Sequence, residues 1–136
     1  MEKTLHLTVV TPGGVVIDER SGFVVVPASD GEMGILPNHS DMLAALTEGV
    51  MRYKVKGEEH YAALSGGTLS IADNELVILA RSAERAESID LARAQASEKR
   101  ARERIEQKAA DLDLARAELS LHRALAREKA YSMLHK

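Results

Sequence analysis

The residues best equipped to do chemistry in this chain are arginines. Arg93, Arg100 and Arg104 are spaced seven and four apart, which lines them along one face of a helix. Arg116, Arg123 and Arg127 have the same spacing farther on, and the phrase DLARA at 90–94 recurs after 23 residues at 113–117. If the two stretches fold back antiparallel, guanidiniums from both approach one another, and a bound polyanion would relieve their repulsion. The ordinary alternative is a pair of solvated faces, with Glu98, Glu103, Glu106, Glu118 and Glu128 supplying helix ion pairs. Residue types alone leave both readings open.

Catalysis finds no footing. The chain has no GxxxxGK[ST] phosphate loop and no GxGxxG after a strand. His6, His39, His60, His122 and His135 show no metal-ligand spacing, so no metal site is expected. Ser65-Gly66-Gly67 lacks the surrounding motif of a nucleophile elbow and reads as a turn. There is no cysteine, hence no disulfide framework and no thiolate site. No apolar run approaches the roughly 18 to 20 residues that span a bilayer. The N-terminus MEKTLHLTVV lacks a signal peptide's long apolar stretch, and a cytosolic location fits. The expectation is a protein that is not an enzyme.

The elements that must carry the arginines follow from composition. All nine glycines and all three prolines lie at or before Gly67. Residues 1–88 hold 7 basic and 13 acidic groups, net −6, whereas residues 89–136 hold 11 and 8, net +3. A turn-rich acidic half and a turn-free basic half predict two modules. The first reads as all-β: Leu5, Leu7 and Val9 alternate, GFVVVPA is a buried run, and turns fall at Pro12-Gly13-Gly14, Lys56-Gly57 and Ala72-Asp73-Asn74. Nine or ten short strands in two packed sheets are expected.

The second module is built from Ala, Arg, Glu, Leu and Lys, the best helix formers. Ser88 is the expected N-cap with Asp90 in the first turn, and Asp111 or Asp113 the expected cap of a second helix. Two helices of about 18 to 20 residues form the hairpin. Ala92, Ala96 and Ala101, with Leu91 and Ile105, are the expected packing face of the first; Leu114, Leu121 and Leu125, with Leu119 beside them, serve the second. Burying alanines contributes about 1 kcal/mol or less each, so closure should depend on something bound.

Several ordered motifs, VTPGGVV, GEMGILPNHSDML and SGGTLSIADNELVILARSAERAESIDLARA, resemble the epsilon subunit of bacterial F-type ATP synthase nearly end to end. The resemblance implies an α+β chain: a ten-stranded antiparallel β-sandwich over 1–86, then a two-helix antiparallel hairpin over 87–136. It implies a central-stalk subunit that couples the gamma subunit to the c-ring and has no catalytic role. The hairpin would bind ATP when folded and block ATP hydrolysis when extended toward the α and β subunits. A motif of the form Ile/Leu-Asp-x-x-Arg-Ala stands here as Ile89, Asp90, Arg93 and Ala94. With Glu84, Arg100, Arg123 and Arg127 these are the implied ATP-binding positions, with magnesium undecided.

Arg116, Arg123 and Arg127 are the expected inhibitory contact with the β subunits. Glu32, Met33, Gly34 and His39 are the implied contact with the c-ring, although the segment SDGEMGILPNHS taken by itself reads as a plain inter-strand loop. Family members commonly carry proline two residues after the histidine, where this chain has Asp41. The implied setting is peripheral, on the cytoplasmic face of the bacterial plasma membrane, within a proton-transporting complex and without bilayer insertion. The same subunit without ATP sensing, a constitutive brake, is the nearer alternative. An Arg-rich nucleic-acid-binding hairpin is the other; the acidic first module, the net charge of −3 and three per cent aromatic content speak against it.

Overall fold

A computed structural model describes residues 3–107 and 111–136, with side chains in the last segment from Leu114 onward. Eight strands come first: β1 Leu5–Thr11, β2 Gly14–Ser21, β3 Phe23–Ala28, β4 Gly31–Ile35, β5 Met42–Leu46, β6 Gly49–Val55, β7 Glu58–Ala72 and β8 Glu75–Arg85. A 3-10 turn at Ala86–Ser88 leads to helices α1, Leu91–Glu106, and α2, Asp111–Leu134. The strands run in the order β2-β1-β8-β7-β5-β3-β4, and β6 pairs with both β3 and β7. The sheet thereby folds over on itself as a sandwich.

Ten antiparallel strands were expected and eight are found, because β7 and β8 run on where shorter strands could be counted. Residues 58–64 of β7 pair with β6 and residues 67–71 with β5, so one long strand serves both partners. The pairing is not wholly antiparallel either: β1 lies parallel to β8, with His6 opposite Glu75 and Val10 opposite Leu79. The expected loop at SDGEMGILPNHS contains a strand as well. Residues 31–35 form β4, which pairs with β3 alone.

Period-two alternation did specify the core. Leu5, Leu7 and Val9 are fully buried, as are Val24 and Val26 of the apolar run, and they meet Ile35, Met51, Leu64, Leu69, Ile71, Leu76 and Ile78 in one cluster. The Lys56-Gly57 and Asp73-Asn74 turns have positive φ at both central residues, the geometry that matches the twist of a tight hairpin. Asn74 does more than turn: its side-chain carbonyl accepts from the Asn38 amide at 2.6 Å and its amide donates to the Thr4 carbonyl at 3.3 Å.

Where β7 passes from one partner to the next, Gly66 and Gly67 hold φ of 48° and 141°. A Cβ on Gly67 would collide with the carbonyl of Leu79 and the Cα of Ala80, which are backbone atoms and cannot yield. Gly67→Ala is therefore expected to lower unfolding stability by at least about 2 kcal/mol, read by denaturant titration. Tyr53 gives the opposite sign. Its hydroxyl is buried with no hydrogen-bond partner among the described residues, and burial pushes its pKa up to about 12. Removing an unsatisfied buried hydroxyl recovers its desolvation cost, so Tyr53→Phe should be neutral or stabilising by about 1 kcal/mol; a loss in the same titration would contradict this.

A candidate ligand cleft between the hairpin and the sheet

The hairpin is attached to the sandwich along one line. Ala126 and Ala130 of α2 pack on Val50 of β6, Ala63 of β7, and Ala86 and Ile89 of the connection. Between the helices the fully buried residues are Ala94 and Ala101 on α1 and Ala117 and Ala124 on α2. This bears out Ala101 and corrects the rest of the expected alanine and leucine faces. Ala92 and Ala96 are exposed, Leu119 and Leu125 are 39% and 37% exposed, and Leu114 and Leu121 are only half-buried. Small side chains let the helix axes approach closely, and the leucines ride at the margins. The helices also differ in length, 16 and 24 residues.

The cap is corrected too. Ser88 ends the 3-10 turn, and Asp90 is the N-cap of α1, its carboxylate accepting from the Arg93 amide at 3.1 Å. The expected caps Asp111 and Asp113 lie outside the described side chains. Asp90 thus fixes where α1 begins and so which way Arg93 projects.

Above the line of attachment a cleft of about 500 Å³ opens. Its floor is Ala63, Leu64 and Ser65 of β7 with Ser82, Ala83 and Glu84 of β8; Ser88, Asp90, Arg93 and Ser97 form one wall, and Ser120, Arg123, Ala124 and Arg127 the other. Five of the eight implied ATP-binding positions, Glu84, Asp90, Arg93, Arg123 and Arg127, therefore meet in one cleft. The other three do not line it. Ile89 and Ala94 are buried; Ile89 is part of the apolar cluster under α2, so it anchors the loop that aims Asp90. Arg100 is exposed, but its guanidinium donates to Ser97 Oγ at 3.2 Å, tying it to the rim.

The charges in the cleft are unequal in availability. Arg127 grips Glu84 through two parallel bonds, Nε to Oε2 at 3.1 Å and Nη2 to Oε1 at 3.3 Å, a charge-assisted fork of the strong kind. This pair ties α2 to β8. Arg93 and Arg123 have no carboxylate partner among the described residues, and Arg123 instead donates to Ser120 Oγ at 3.1 Å. Two guanidiniums and a ring of hydroxyls therefore face the space, with one carboxylate, Asp90, partly committed to its cap. That set suits a phosphorylated ligand with hydroxyl-bearing groups.

Serines were missed by the sequence reading, yet a signal existed. The 23-residue repeat extends beyond DLARA: it carries Ser97 onto Ser120, Arg100 onto Arg123 and Arg104 onto Arg127. Each copy holds a Ser-x-x-Arg pair, and both pairs are hydrogen-bonded.

The other expected residues lie elsewhere. Arg116 is exposed on α2, outside the cleft. Glu32, Met33 and Gly34 sit on β4, with Glu32 3.9 Å from Arg52. His39 follows in the connection to β5, its Nδ1 2.7 Å from the Ser40 carbonyl. No helix among the described residues is long and apolar enough to cross a membrane.

Comparison with known proteins gives a consistent result. A family described as ATP synthase, Delta/Epsilon chain, beta-sandwich domain matches residues 4–86. One described as ATP synthase, Delta/Epsilon chain, long alpha-helix domain matches residues 87–132. The ATP synthase epsilon chain of Nitratidesulfovibrio vulgaris (strain DP4) is 46% identical over 127 residues, covering 93% of this chain and 95% of the relative. That of Desulforamulus reducens is 44% identical over 130 residues, covering 96% and 98%. Among solved structures, a chain of the Euglena gracilis mitochondrial ATP synthase superposes with a TM-score of 0.80 at 22% identity, over 93% of this chain and 81% of that one, a likeness of fold. With both modules matched and relatives of this identity aligned over nearly their whole length, the chain belongs to the delta/epsilon family of ATP synthase subunits, as one of its epsilon chains.

Proposed function

We propose that the hairpin is a nucleotide-held latch on a non-catalytic, regulatory subunit of the ATP synthase central stalk. The observation that carries this is the cleft itself: Glu84, Asp90, Arg93, Arg123 and Arg127 come from β8, the connection and both helices, and line one space of about 500 Å³ only while the hairpin lies on the sheet. That volume lies within the range of about 300 to 1,000 Å³ usual for small-molecule sites. ATP fits the chemistry. Arg93 and Arg123 would take the phosphates, with Arg100 swinging in from the rim, and the serine hydroxyls and Asp90 would meet the ribose and base. Arg127 is spent on Glu84 and closes the latch instead. Among the described residues no group of three or more His, Cys, Asp or Glu side chains is arranged to hold a metal ion, so a magnesium ion would be held through phosphate oxygens.

The switch follows from linkage. A ligand at 100 times its dissociation constant favours the closed form by about 2.7 kcal/mol, enough to reverse a modest bias in an alanine-packed hairpin. Opening would break the Glu84–Arg127 fork and free Arg123 and Arg127 to join Arg116, a basic stripe for acidic surfaces on the β subunits. The sandwich offers the stationary contacts. Leu43, Val15 and Leu79 are 82%, 62% and 55% exposed on strands β5, β2 and β8, an apolar face suited to the gamma subunit. The free edge of β4 with Glu32, Met33, Gly34 and His39 would face the c-ring. On this reading the chain sits peripherally, on the cytoplasmic face of the bacterial membrane.

Calorimetric titration of ATP into the full chain should show saturable one-to-one binding, lost in the Asp90→Ala, Arg93→Ala double variant. Absence of heat at millimolar ATP would leave an ATP-independent brake. In the assembled enzyme, neutralising Arg116, Arg123 and Arg127 together should relieve inhibition of ATP hydrolysis several-fold, measured as steady-state ATPase rate. An unchanged rate would rule out the basic stripe as the inhibitory contact.

A further inference from the structure

The seam between the helices is apolar and small except at one level. On α1, Glu98 stands on the same helical face as the buried Ala94 and Ala101, four residues after one and three before the other. On α2, Glu128 follows the buried Ala124 by four. In the 23-residue repeat, Glu98 corresponds to Leu121, and Glu128 to Ile105. Each helix thus carries a carboxyl where its counterpart carries a large aliphatic side chain.

These two carboxyl groups face each other across the seam, close enough for each to shift the titration of the other. Glu98 also accepts from Arg102 Nε at 2.7 Å. Glu128 Oε2 is buried and has no donor among the described residues. Carboxylates accept hydrogen bonds and cannot donate them, so two can share a bond only when one holds a proton. Burial, then the bond and charge of Glu98, hold the Glu128 carboxyl above the usual carboxylate range. The bond from Glu128, then Arg102, holds Glu98 below it.

We propose that Glu98 and Glu128 form a proton-operated clasp across the hairpin, closed while the pair shares one proton and weakened when that proton leaves to solvent. With the proton in place, Glu128 donates to the Glu98 carboxylate, Arg102 balances the remaining charge, and the seam is neutral. Without it, two carboxylates face one guanidinium, and a net negative charge remains between the helices with an orphaned oxygen beside it. From the sheet side Val50, Tyr61, Ala63 and Ala86 pack against α2 in the apolar cluster, and Glu84 of β8 meets it at Arg127. Of these, Glu84 is paired with Arg127, and desolvation and Glu59 raise the pKa of Tyr61, keeping it neutral. On α2 itself, Arg127 is held by Glu84. Among the described residues the cation that acts on Glu128 is Arg102.

The sign follows from the two directions. In the open hairpin both carboxyls are ordinary. Above the ordinary carboxylate range the closed form binds more protons, so closure weakens as pH rises through the raised pKa of Glu128. On the acid side closure weakens as pH falls through the lowered pKa of Glu98. The clasp works between them. One proton limits the steepness on the alkaline side to about tenfold in the opening equilibrium per pH unit. None of this requires a nucleotide.

The test uses the full chain without nucleotide, reading side-chain carboxyl carbon shifts by NMR and amide exchange of α1 and α2, corrected for intrinsic exchange, across pH. Glu128 should titrate above and Glu98 below the usual range. Hairpin opening in the native chain should rise with pH, by up to about tenfold per unit. In Glu128→Gln, which keeps the shape and a donor, the rise should vanish. His6, held between Asp18 and Glu75 at 2.6 and 2.7 Å, also titrates, but on the sandwich, so it cancels in that comparison. Both carboxyls titrating together in the ordinary range, or parallel opening in the native chain and Glu128→Gln, would overturn the clasp. If Glu128→Gln fails to close its hairpin, the carboxyl titrations of the native chain decide alone.

Discussion

The docking of α2 on the outer face of β6 and β7 is the contact on which the rest depends. It is made by small side chains, Ala126 and Ala130 against Val50, Ala63, Ala86 and Ile89. Each alanine buries little apolar area, contributing about 1 kcal/mol or less, so the contact is close without being strong. Because it holds, β8 and both helices face one another and a cleft exists. Because it is weak, a few charged interactions can decide whether it persists.

Those charged interactions are distributed with an evident division of labour. The Glu84–Arg127 fork joins helix to sheet, whereas Glu98, Glu128 and Arg102 join helix to helix. Arg93 and Arg123 are left facing open space. A bidentate ion pair between half-buried partners holds geometry better than it stabilises the fold, and its effect here is to hold α2 at a fixed place over β8. A phosphorylated ligand between Arg93 and Arg123 would then act on an arrangement already near closure, and would lose little in ordering it.

The sandwich supplies a rigid base for the hairpin. One long strand, β7, pairs with β6 at its start and β5 at its end, turning at Gly66-Gly67 where no side chain fits against Leu79 and Ala80. Its first half carries Ala63 outward to the hairpin while Ala62 and Leu64 face the core. The same strand thus packs the sandwich and floors the cleft, so the site inherits the precision of the core.

Much of this was written in local patterns. Alternation at Leu5, Leu7 and Val9, the Lys56-Gly57 and Asp73-Asn74 turns and the loss of glycine and proline after Gly67 are short-range signals, set by sterics and period, and they fixed the two modules. The arginine spacing and the Asp-x-x-Arg-Ala phrase marked four residues of the cleft, Asp90, Arg93, Arg123 and Arg127, and the family resemblance added Glu84. What needed tertiary structure was everything decided by a neighbour distant in sequence. Strand count turned on β7 changing partners, and the parallel pairing of β1 with β8 on chain path. The choice of Ala94, Ala101, Ala117 and Ala124 over the leucines turned on how closely two helices approach. Glu98 and Glu128 looked like members of an ordinary solvated face, since a sequence shows that a carboxyl is present but not what faces it. Only the folded hairpin brings the two together and, by drawing Glu128 partly out of water, raises its pKa above that of an ordinary carboxyl.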